Sequence, residues 1–123
     1  MNKIKIRIWD RDFELNVVYQ NYPGEEVTEN QRKTLDSVFL TDFGPGKAGV
    51  EAYIRKYFSS ELGEDTLENI FRFVMPKSIL IPRTDDKQTF AVLCNFKLDM
   101  EHGIAVLYED NTYKTTGPQD LAL

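Results

Sequence analysis

Residues 90–120 read FAVLCNFKLDMEHGIAVLYEDNTYKTTGPQD, and the fold turns on how this stretch is parsed. Two apolar runs, Phe90 to Phe96 and Ile104 to Tyr108, flank a polar corner at Asp99-Met100-Glu101-His102-Gly103, and a tight turn follows at Asp110-Asn111. Short runs of this composition bounded by turn residues predict a three-stranded antiparallel meander. Phe90, Val92, Cys94 and Phe96 fall on one face of its first strand, Ala91 and Leu93 on the other. A strand apolar on both sides is expected at the centre of a sheet.

Upstream, Ser78-Ile79-Leu80-Ile81 is a further β-rich run, and Asp85-Asp86-Lys87 reads as the exposed turn that joins it to the meander. Its flanking residues Pro76 and Pro82 predict an edge strand or one entered through a bend. At the N-terminus Ile4, Ile6 and Ile8 alternate with Lys3, Lys5 and Arg7, and Phe13, Leu15 and Val17 alternate with Glu14 and Asn16. Period-two patterning predicts a hairpin, turned at Asp10-Arg11-Asp12.

Between these strands the periodicity changes to helical. Thr28-Glu29-Asn30-Gln31 has the form of a capping box, followed by Leu35, Val38 and Phe39, and the helix is expected to stop near Asp42. A second helix presents Val50, Tyr53, Ile54, Tyr57 and Phe58 at helical spacing. Asp65 and Glu68 have the spacing of another N-cap, which predicts a short helix through Ile70. The expected fold is α+β: one domain over residues 1–123, with a single antiparallel sheet of about five to six strands and two or three helices on one face.

Composition narrows the function. No apolar stretch approaches the ~20 residues a spanning helix needs, and the N-terminus lacks the form of a signal peptide, which predicts a cytoplasmic protein. The one cysteine, Cys94, lies in an apolar strand without a CxxC partner and reads as a buried structural thiol. A formal net charge of −5, from 15 basic and 20 acidic residues, opposes nucleic-acid binding and favours a basic protein partner.

Two motifs bear on chemistry. Gly44-Pro45-Gly46-Lys47-Ala48-Gly49 matches G-x-G-x-x-G, but a helix precedes it, no βαβ unit surrounds it, and Ala48 stands where a Walker loop needs Ser or Thr. The segment therefore reads as a connector between helices. His102, the only histidine, has Asp99 and Glu101 beside it, a set that could ligate a divalent ion or form an acid–base pair. The same residues can be structural, with Asp99 accepting backbone N–H bonds, Gly103 taking a positive φ and His102 pinning the corner. No GxSxG, HExxH or Ser-His-Asp order occurs.

The run Cys94 to Val106, with Gly117-Pro118-Gln119-Asp120 after it, resembles the C-terminal end of small bacterial domains of unknown function. Members of that group end in a C-x-[FW]-x-x-D-x-E-H-G strand pair and a final G-x-x-D, and related small families are taken as immunity proteins beside polymorphic or contact-dependent toxins. The resemblance covers about a quarter of the chain. It implies a non-enzymatic inhibitor of a cognate toxin, with no catalytic residues, cofactor or metal. If that toxin is a nuclease, its basic face would attract an acidic inhibitor.

Candidate partner contacts are Glu25 and Glu26, the group Glu61, Glu64 and Asp65, and Asp85-Asp86. The alternative is a small-ligand or metal-dependent domain, with hydrolase chemistry, centred on Asp99, Glu101 and His102. A third reading is dimerisation through the aromatic stripe Tyr53, Tyr57 and Phe58.

Overall fold

The computed structural model describes residues 3–84 and 87–122, so the expected contacts Asp85 and Asp86 lie outside the described residues. The elements are β1 (Lys3–Ile8), β2 (Arg11–Gln20), α1 (Glu29–Val38), α2 (Gly44–Tyr57), α3 (Ser59–Leu62), a 3₁₀ turn (Ile70–Arg72), β3 (Val74–Pro82), β4 (Thr89–Phe96), β5 (Ile104–Glu109), β6 (Thr112–Gly117) and a final 3₁₀ turn (Gln119–Ala122). They form the expected α+β arrangement, with six strands in the order β1-β2-β3-β4-β5-β6. The sheet is mixed. β2 and β3 pair in parallel, Asn16 opposite Ser78 and Gln20 opposite Pro82, and every other pair is antiparallel. A parallel neighbour requires a long crossover, and here the whole helical segment supplies it.

Both outer hairpins close through two-residue turns with φ positive at both positions, Trp9 (53°) with Asp10 (66°) and Asp110 (50°) with Asn111 (67°). That geometry matches the twist of the flanking strands. The first turn thus lies one residue earlier than the Asp10-Arg11-Asp12 expected, and Arg11 and Asp12 are already paired in β2. A tryptophan is a costly residue for positive φ. It is held there by its indole N–H, which donates to the Phe43 carbonyl at 2.9 Å, and by packing on Phe71.

One face of the sheet carries the core. Ile6, Ile8, Leu15, Val17, Ile79, Ile81, Phe90, Val92, Cys94, Phe96, Ile104, Val106 and Tyr108 pack there against Val38, Val50, Ile54, Leu67 and Ile70. Cys94 is fully buried, and burial pushes its thiol pKa up. The capping box forms as the spacing predicts: Thr28 Oγ1 accepts from Gln31 N–H at 3.0 Å, and Gln31 Oε1 accepts from Thr28 N–H at 2.9 Å. Gln31 is also wholly buried and donates to the Ile81 carbonyl. Of the expected stripe on α1, Val38 is buried, Leu35 half-buried and Phe39 exposed, because the helix ends at Val38, short of Asp42.

Three expectations change. Gly44 to Gly49 form the first turns of α2 rather than a connector before it, since Pro45 lies in the first turn, where no carbonyl awaits its missing N–H. Residues 64–69 form no helix; Leu67 and Ile70 plug into the core from irregular backbone, and only the Ile70–Arg72 turn is helical. β3 is central rather than an edge. The bend that its prolines predict is present as a register shift between Pro76 and Ser78.

Candidate docking groove

The polar corner between β4 and β5 is built by Asp99. Its carboxylate accepts from the His102 backbone N–H at 3.2 Å and meets His102 Nδ1 at 3.0 Å, while its carbonyl accepts from Gly103 N–H at 3.0 Å. Gly103 takes φ of 59°, with the Cys94 carbonyl directly against it. Asp99 therefore organises the turn, as the structural alternative expects. The Asp99 carboxylate, hydrogen-bonded to the ring and charged beside it, raises the His102 pKa, and Glu101 and Asp120 add to the effect. Glu101 is exposed, and among the described residues no group of three His, Cys, Asp or Glu is placed to hold a metal ion.

Gln119 joins this corner to the end of the chain. Its backbone N–H donates to the His102 carbonyl at 2.9 Å and its side chain donates to the Cys94 carbonyl at 3.1 Å. The 3₁₀ turn that Gln119 opens carries Asp120, and places Leu121 beside the end of α2. Between them lies a groove of about 470 Å³. Tyr53, Tyr57 and Phe58 form one wall and Thr115 to Pro118, with Leu121, the other.

Helical spacing brings Tyr53 and Tyr57 onto one face, with ring centroids 5.3 Å apart. Phe58 anchors them by an edge-on contact with the core residue Phe96 at 4.9 Å. Tyr57 remains 61% exposed and Leu121 45%. Lys56 lies over the Tyr57 ring at 5.2 Å. Burial, and then the charge of Asp99, raise the Tyr53 pKa. The groove also borders β6, one of the two edge strands of the sheet, whose outer side is unpaired among the described strands.

The other expected contacts are dispersed. Glu25 is engaged in closing its own loop, accepting from Tyr22 N–H at 2.9 Å and pairing with Arg83 at 3.6 Å. Arg83 also donates to the Glu26 carbonyl, so this acid pair serves the loop that follows β2. Asp65 pairs with Arg72 at 3.7 Å, and Glu61 and Glu64 are exposed on and just after α3.

At the α2 N-terminus the Asp42 carboxylate accepts from Gly44 N–H at 2.9 Å, so the chain itself supplies the anion that such a terminus attracts. Gly46 and Gly49 serve packing instead, bringing α2 against Tyr108 and Tyr113. Sequence reasoning quoted the tyrosine stripe but missed Leu121 as its partner across the groove and Gln119 as the tie to the polar corner. The only local signal for them was the Gly117-Pro118 break. Compared with protein-family models, with curated proteins and with solved structures, the chain matches none.

Proposed function

We propose that this chain is a non-enzymatic protein-binding domain of the immunity type, working in the cytoplasm by docking onto and neutralising a basic toxin. The observation that carries the reading is the aromatic groove at the β6 edge, with Tyr57 standing exposed over it and Leu121 facing it from the final turn, which also carries Asp120 and is hydrogen-bonded through Gln119 to the corner of Asp99 and Glu101. Exposed tyrosines beside a pocket are the side chains that dominate binding energies at protein interfaces. Carboxylates around such a centre raise the encounter rate with a cationic partner without needing to be buried. An unpaired sheet edge adjoining side-chain pockets also suits an extended segment of the partner, which would add main-chain hydrogen bonds to β6.

The test is binding to the cognate protein captured by the tagged chain from its native lysate. Tyr57→Ala should weaken the complex by about 2 kcal/mol, roughly thirtyfold. The double change Glu101→Lys with Asp120→Lys should slow association and flatten its dependence on salt. Binding left intact by both variants would remove the groove from the account.

A further inference from the structure

The final turn, Gln119–Ala122, buries none of its side chains. Two hydrogen bonds tie it to the rest of the fold: Gln119 N–H donates to the His102 carbonyl at 2.9 Å, and the Gln119 side chain donates to the Cys94 carbonyl at 3.1 Å. A third, from Leu121 N–H to the Pro118 carbonyl at 3.0 Å, closes the turn itself. Leu121 lies over Gly117, where a Cβ would come within 3.0 Å of it, yet remains 45% exposed. A segment with so few buried contacts opens at far lower cost than the sheet behind it. The corner that holds it also gathers charge. The His102 ring is 3.0 Å from the Asp99 carboxylate and faces Glu101 on its own corner and Asp120 on the final turn. Tyr53, on α2, lies near Asp99 and stays neutral at ordinary pH. Neither Glu101 nor Asp120 pairs with a lysine or arginine among the described residues. The imidazolium therefore offsets the three carboxylates, and its neutral form leaves Asp120 facing Asp99 and Glu101 uncompensated.

We propose that Gln119–Ala122 is a strap whose hold on the fold is set by His102: fastened while the imidazole carries its second proton, loosened when that proton leaves. Fastened, it supplies Leu121 as the wall of the groove opposite Tyr53, Tyr57 and Phe58; loosened, it takes that wall away. The hydrogen bond to Asp99, and then its charge, raise the His102 pKa above the ordinary 6.5. The charge-linked hold is thus complete below 6.5 and is lost as pH rises through the raised value. His102 is the chain's only histidine, so no other imidazole titrates in that range. Weaker docking at the groove as pH rises is a consequence that rests on the function proposed above. The movement of the strap does not.

Amide hydrogen exchange followed by NMR on the full chain tests it, with intrinsic exchange rates divided out so that only opening is read. In the wild type, protection of the Gln119 and Leu121 amides should be about threefold greater at about pH 5 than at about pH 8, while Val92 and Val106 on the central strands do not change. His102→Gln should show the alkaline value at both. Asp120→Lys should reverse the trend, because its ammonium is repelled by the imidazolium and attracted by Asp99 and Glu101 once that charge is gone. Should either variant fail to fold, the wild type in about 1 M salt serves instead, where screening should cut the pH difference to roughly half or less. Equal wild-type protection at the two pH values overturns the proposal. So does a folded Asp120→Lys that keeps the wild-type trend, a pH difference that survives in His102→Gln, or one undiminished by salt. No partner takes part, so these outcomes leave the docking reading of the groove untouched.

Discussion

Gly46 shows how much of this molecule is decided by single contacts. In an exposed helix, replacing glycine by alanine gains about 1 kcal/mol of helix propensity. At Gly46 the added methyl would run into the Tyr108 hydroxyl and Val106, and Tyr108 is buried between Phe43 and Phe90 with nowhere to swing. Gly46→Ala is therefore expected to lower stability by about 1–3 kcal/mol in urea denaturation. Gly49→Ala should cost less, since Tyr113 is only half-buried and can shift. The Tyr108 hydroxyl has no hydrogen-bond partner among the described residues. Tyr108→Phe should thus be neutral or stabilising by about 1 kcal/mol, and it should also reduce the penalty of Gly46→Ala in a double-mutant cycle. Full additivity of the two changes would refute the packing explanation.

His102 gives a residue-scale prediction of a different kind. Asp99 favours the imidazolium and raises its pKa above the ordinary 6.5. The contribution to stability is complete below that ordinary value and is lost as pH rises through the raised one. The melting-temperature gap between wild type and His102→Ala should accordingly be wider at about pH 5 than at about pH 8. Equal gaps would mean that the imidazole exerts no charge-linked hold on the corner.

At the scale of elements, legibility followed sequence distance. The box at the start of α1 could be read because its two members stand three residues apart, and Thr28→Ala should cost about 1 kcal/mol by thermal or urea unfolding. Gln31→Ala should cost more, about 1–3 kcal/mol, because it also strips the Ile81 carbonyl of a buried donor. That second bond spans fifty residues, and no local pattern announces it. The same distance hid the purpose of Gly46 and Gly49, which is set by tyrosines on β5 and β6, and the parallel pairing of β2 with β3, which is set by the crossover rather than by either strand. Pro76 spoke truly of a bend. It could not say that the bend would be absorbed by a bulge inside a central strand. The meander and the polar corner were legible because their turns are local. The acidic candidates were not, because a carboxylate reads alike whether it faces solvent or, as Glu25 does, holds Arg83.

For the whole molecule, the distribution of surface matters more than the net charge. Helices cover one face of the sheet, the aromatic groove opens at one edge against the final turn that carries Asp120, and Val18, Leu80 and Leu107 share a row of the opposite face. No helix among the described residues is long and apolar enough to cross a membrane. On the function proposed above the chain acts by occupying its partner, and occupation has a stoichiometry that catalysis lacks. The most direct measurement is titration of the purified partner's toxic activity with the chain. Neutralisation should be complete at one chain per partner and lost with Tyr57→Ala, whose circular dichroism spectrum should remain that of the wild type. Neutralisation by far less than one equivalent would mean that the chain is an enzyme, and equal potency of Tyr57→Ala would mean that it docks elsewhere.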